Sequence, residues 1–164
     1  MRVFFMLLLF SMASKAQTLT ATGSWALDVS TVKPTVAGAN YPGAVESSTN
    51  QTIIGVTESV LVSVLSKYDI YIKMSGTLPT GAKLFARRTA DGTAGALLGG
   101  YVGGTAYLEL SASNQKLFTI NILAAIGPLV ISFQSIPIQY KIEGLSVTQP
   151  TGIHTVVLTY TVTK

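Results

Sequence analysis

Apolar residues in this chain recur at every second position and nowhere hold a sustained helical spacing, which restricts it to sheets. Tyr68, Ile70, Ile72 and Met74 alternate with Asp69, Tyr71, Lys73 and Ser75. Further on, Ile136, Ile138, Tyr140 and Ile142 alternate with Pro137, Gln139, Lys141 and Glu143. Near the end, His154, Val156, Leu158, Tyr160 and Val162 share one face, and Thr dominates the other. Between Thr18 and Ser30, Leu19, Ala21, Gly23, Trp25, Leu27 and Val29 fall on one face in the same way. Successive side chains of a strand point to opposite faces, so each such segment has one side to bury.

The rest of the chain reads as shorter strands and their turns. Thr31 to Gln51 is a long connection punctuated by Pro34, Gly38, Pro42 and Gly43. Thr52 to Leu65 is expected to form two short strands divided near Thr57 and Glu58. A turn at Leu78-Pro79-Thr80-Gly81 leads into a strand over Lys83–Thr89, with Pro presetting φ and Gly easing the exit. Asp91 to Gly104 is Gly-rich and reads as a hairpin loop, followed by alternation at Ala106, Leu108 and Leu110. Three further strands are expected at Leu117–Leu123, Leu129–Gln134 and Ile136–Ile142, with at most one helical turn over Asn121–Gly127. Pro137 cannot donate to a ladder, so its strand should lie at an edge or be bulged there. The expectation is an all-β chain, an antiparallel Ig-like β-sandwich of about 8–10 strands.

The first sixteen residues carry the marks of export. Arg2 supplies a positive start, Val3 to Phe10 an apolar run, and Ser14-Lys15-Ala16 small residues at the −3 and −1 positions of a cleavage site. An apolar run this short does not reach the ~20 residues a bilayer needs. Residues 1–16 are therefore read as a cleaved signal peptide and 17–164 as a single domain with no integral membrane segment. A secreted or cell-surface location in a bacterium is the expectation. Of the eleven Lys and Arg, Arg2 and Lys15 fall in the leader, leaving nine against seven Asp and Glu. Arg87-Arg88 is the only adjacent basic pair, and no basic run points to nucleic acid.

Most chemistry is excluded. The chain has no Cys, which removes thiol catalysis, thiolate metal sites and disulfides, so stability rests on core burial and strand pairing. His154 is the only His, and with no Cys, second His or acidic residue at ligand spacing it reads as a rim histidine. Two of the carboxylates Asp28, Glu46, Glu58, Asp69, Asp91, Glu109 and Glu143 would be needed for a glycosidase pair. Asp28, Asp69 and Glu109 sit on polar faces and Asp91 in a turn, which reads as surface charge. Gly95–Gly104 lacks the following helix and the Lys-Ser/Thr of a phosphate loop. No enzyme and no cofactor are expected. Tyr71, Tyr101 and Tyr107, on outward parity or in loops, are the candidates for stacking on a sugar.

Thr22-Gly-Ser-Trp-Ala-Leu-Asp-Val-Ser-Thr31 resembles the opening of pilins and spore-coat-U-like domains of archaic chaperone–usher systems. Gly152-Ile-His-Thr-Val-Val-Leu-Thr-Tyr-Thr-Val-Thr163 is similar to their closing strand. Members often carry a disulfide near the first strand, which this chain cannot form. The resemblance implies a secreted structural or adhesive surface protein, a fimbrial subunit in which another subunit's N-terminal strand completes the sandwich by β-augmentation. It implies self-association or related surface subunits as partners, together with a periplasmic chaperone. Leu19, Ala21, Gly23, Trp25 and Leu27 are the candidate strand-pairing residues. The other arrangement open to them is the first strand of a self-contained sandwich, with Trp25 as a core anchor. The alternative function is a soluble exported carbohydrate-binding module.

Overall fold

The computed structural model describes residues 17–32, 34–36, 38–63, 66–94, 98–149 and 152–164, with side chains for all of these except 59–63, 94, 98 and 123–131. The expected leader lies outside the described residues. The chain is all-β: two antiparallel sheets pack against each other as a β-sandwich, and the only described helical element is a 3-10 turn over Val29–Thr31.

One strand organises the molecule. β9 spans Gln115–Glu143, 29 residues. Straight, it would measure roughly 95 Å, more than twice the ~40 Å diameter of a domain this size. It therefore serves both sheets, its first part in one and its remainder in the other.

Along one side of β9 run β2 (Ala44–Glu46), β3 (Thr52–Ser63) and β4 (Ser66–Gly76), paired with it end to end. Along its other side run β5 (Lys83–Arg88), β6 (Thr93–Ala94) and β7 (Leu98–Val102). The first sheet is completed by β1 (Gln17–Thr22) on β3 and β8 (Leu108–Glu109) on β5. The second is completed by β10 (Val156–Thr163) on β4.

The register slips at four places: Ile54/Val56 and Val60/Val62 against β9, Ile70/Tyr71, and Leu98/Gly99. Bulges raise local twist and bend a strand, which a strand serving two sheets requires. At the first slip, Ser135 takes a positive φ of 58°. The inward phase of β9 changes there, from Phe133 to Ile136, Ile138, Tyr140 and Ile142.

Several expectations are corrected by this arrangement. Leu117–Leu123, Leu129–Gln134 and Ile136–Ile142 belong to one strand, because the change of phase at Gln134-Ser135 is a bulge and not a turn. The helical turn over Asn121–Gly127 is strand. Pro137 lies in an interior strand, close to that bulge, with β3 on one side and Thr89 donating to its carbonyl from the other. Thr52–Ser63 is likewise a single strand. The Gly-rich segment supplies β6 and β7 to the sheets, with residues 95–97 outside the described set.

Alternation places the core as expected elsewhere. Tyr68, Ile70 and Ile72 from β4 are fully buried, as are Phe118, Ile120, Phe133, Ile136 and Ile138 from β9. Each such side chain contributes about 1.5–3 kcal/mol of burial. The turn before β5 closes with Ala82 N–H donating to the Pro79 carbonyl at 2.9 Å, and Gly81 holds φ 83°.

Candidate functional site

The first strand is shorter than its alternation predicts. β1 ends at Thr22 because Gly23 adopts φ 125°, which L side chains rarely take. A Cβ there would also run into the Gln51 backbone carbonyl. Beyond it the chain leaves the sheet, and Asp28 caps the 3-10 turn by accepting from Ser30 N–H at 2.8 Å. The Ser30 side chain, together with that backbone bond, lowers the Asp28 pKa. Leu19, Trp25 and Leu27 pack against the chain's own core, and β1 is paired in register with β3 of the same chain.

Of the five strand-pairing candidates, Ala21, Gly23, Trp25 and Leu27 come together on the wall of a groove of about 710 Å³. It lies where β1 and β10, edge strands of the two sheets, approach each other. Leu84 and Ile142 line it from the first sheet, Val156, Leu158 and Tyr160 from the second, and the turns at Leu78-Pro79 and Leu145-Ser146 also contribute. Leu19 is not among the lining residues.

Aromatic groups and hydroxyls order this space. Trp25 stacks on Tyr140 with ring centroids 6.3 Å apart and planes inclined by 15°. The Tyr140 hydroxyl donates to Thr52 Oγ1 at 2.6 Å and lies 2.8 Å from the Tyr160 hydroxyl, joining the two sheets. Burial raises both tyrosine pKa values, and the neighbouring Tyr140 hydroxyl raises that of Tyr160 further. No Lys, Arg, Asp or Glu lines the groove among the described residues. His154 lies exposed at its wall, consistent with a rim position.

The polar groups elsewhere are engaged in structure. Glu58, expected only as a break between two short strands, is 4 % exposed. It accepts from the Tyr68 hydroxyl and, on both oxygens, from Lys164 Nζ at 3.1 Å. Arg88 is also buried; it pairs with Asp91, donates to the Gly103 carbonyl at 3.1 Å and covers the Tyr101 ring. Neither residue was marked by a motif. The available signal was parity, since Glu58 shares the inward face of Ile54 and Val56, and Arg88 that of Leu84 and Ala86.

Glu46 accepts from Gln139, Asp69 from Thr119 and Lys116, Glu109 from Lys83, and Glu143 from Lys141. Among the described residues no three His, Cys, Asp or Glu are grouped to hold a metal ion. Two stacking candidates are also corrected. Tyr101 packs on Phe118 and Phe133 at 6.3 and 6.0 Å, and Tyr107 is held against Arg87 and Lys141. Tyr71 is half-buried on β4.

No described helix is long and apolar enough to cross a membrane. Comparison with protein-family models, curated proteins and solved structures finds no match for this chain.

Proposed function

We propose that this protein is an exported, non-catalytic structural subunit of a bacterial surface, which assembles by β-strand pairing with copies of itself or with related subunits. The observation that carries this reading is β10. Its eight residues, Val-Val-Leu-Thr-Tyr-Thr-Val-Thr, include no charge, Pro or Gly, and its one described ladder is with β4. Its other edge therefore presents a row of backbone groups to a further strand. Proteins that must stay apart blunt such edges with Lys, Pro or bulges, and β10 has none of these.

β1 is engaged with β3 in its own chain, so the accepting edge in this reading is β10 and the incoming strand comes from a neighbouring subunit. The pilin-like resemblance of the two terminal segments agrees in kind, since β-augmentation uses main-chain bonds for affinity and alternate side chains for specificity.

The test is light scattering on a sizing column together with negative-stain electron microscopy of the purified protein. Species larger than a monomer are expected. A Thr159→Lys, Thr161→Lys double variant, changing two exposed side chains of β10, should return the protein to monomer with its melting temperature little altered. A wild-type protein that stays monomeric at every concentration, with no filaments on the grid, would sink the assembly reading.

A further inference from the structure

We infer that the groove between β1 and β10 is a binding site for a neutral, largely apolar small molecule that carries a hydroxyl group. This goes beyond the assembly reading and does not depend on it. Protein interiors are packed to the density of organic crystals and leave few voids larger than a water molecule. A space of about 710 Å³ with Leu84, Tyr140, Ile142 and Leu145 of the core at its base, and half-buried and exposed residues around them, falls instead within the size range of ligand pockets.

The charge of the ligand follows from the walls. The chain carries a formal net charge of +4, yet none of its Lys, Arg, Asp or Glu side chains lines the groove among the described residues. A charged ligand would lose its hydration there with no Lys, Arg, Asp or Glu among the described residues to pair with, and His154 stands exposed at the wall. An uncharged one would meet the Trp25–Tyr140 stack on one side and Leu84 and Leu158 on the others.

The hydroxyl follows from the hydrogen bonds. With the Tyr140 proton donated to Thr52, the Tyr160 hydroxyl donates to Tyr140. The Tyr160 oxygen then keeps lone pairs with which to accept from a ligand O–H. Val29 and Val157 line the groove while 41 % and 58 % exposed, so its walls continue as apolar surface at the opening.

Trp25 is the only tryptophan, so its emission reports on the groove wall without a label. The purified protein is titrated with 1-decanol, and with decanoate, decylammonium and 1-methoxydecane as comparisons. The expected result is a saturable Trp25 shift with 1-decanol and at least about tenfold weaker binding of both charged chains. Tyr160→Phe should weaken 1-decanol about fivefold and leave 1-methoxydecane, which has no proton to donate, unchanged. Leu158→Phe, which narrows the space without adding a second tryptophan, should weaken binding of 1-decanol at least about fivefold while the circular dichroism spectrum stays native.

Equal binding of neutral and charged chains would overturn the inference, as would the absence of any saturable shift. A Trp25 signal that responds to protein concentration and not to 1-decanol would mean that a neighbour's strand fills the groove, which also overturns it. That last result would leave the assembly reading standing, so the two ideas fail separately.

Discussion

Glu58 occupies an inward position of β3 where alternation calls for an apolar residue, and the sandwich is built to accommodate it. Its carboxylate accepts hydrogen bonds from the Tyr68 hydroxyl inside the core and from the Lys164 ammonium nearer the surface. Replacing it with Leu leaves the Tyr68 hydroxyl without its acceptor, and an unpaired buried hydroxyl costs about 1–3 kcal/mol. Urea unfolding of Glu58→Leu should show that loss, and adding Tyr68→Phe should recover part of it. Simple additivity of the two changes would mean the residues are not coupled. The buried tyrosines also set an alkaline limit. Burial raises the pKa values of Tyr68, Tyr101, Tyr140 and Tyr160. Their ordinary unfolded value is about 10. A group raised in the folded state contributes stability that is complete below that value and is lost as pH rises through the folded one. The melting temperature should therefore hold through neutral pH and fall above about pH 10, more gently in Tyr160→Phe.

At the scale of elements, alternation was legible wherever one face is buried and the strand itself carries no extra residue; the slip at Ile70/Tyr71 places its extra residue, Leu117, in β9. β4 and β10 and the inward set Ile136, Ile138, Tyr140 and Ile142 were readable for that reason. A change of phase has two physical causes, a turn or a bulge, and they look alike in a sequence. Gln134-Ser135 is a bulge, so two expected strands are one; Glu58 made one strand resemble two because a buried charge breaks the apolar pattern. The first strand failed in the opposite sense. Its alternation persists from Leu19 to Val29, but the backbone turns at Gly23, and only Leu19, Trp25 and Leu27 of the six pack against the core. The groove was half legible: the parity of Tyr140, Leu158 and Tyr160 was evident, while their meeting across two sheets depends on pairings far apart in the chain. The bulge gives a direct test. Ser135 holds φ 58°, a region costly for β-branched residues. Ser135→Val should lower stability by about 1–3 kcal/mol, and Ser135→Gly should leave it unchanged or raise it slightly, both measured by thermal melting. A destabilising Ser135→Gly would place the importance of this residue in its side chain.

For the whole molecule, the consequence of β9 is that neither sheet is complete without a strand belonging to the other. Gln115 to Ala124 pairs within the second sheet, and Ala125 to Glu143 within the first. The Tyr140–Tyr160 bond and the Glu58 cluster tie the same layers at further points. Unfolding one sheet therefore strips the other of its central strand as well as of the apolar face it packs against. Sandwich halves joined by loops alone have no such constraint. The expected outcome is a single cooperative transition, with the near-ultraviolet signal of Trp25 and the far-ultraviolet signal of the strands changing together. Ile120 lies in the second sheet and Ile138 in the first, and both are fully buried. Ile120→Ala and Ile138→Ala should each move that one transition by about 2–5 kcal/mol, without splitting it. Two resolved transitions, each sensitive to only one of these variants, would mean that β9 breaks at its bulges under stress and that the layers are independent. A single transition that both variants shift would make the continuity of β9 a source of cooperativity in a chain that has no disulfide to hold its layers together.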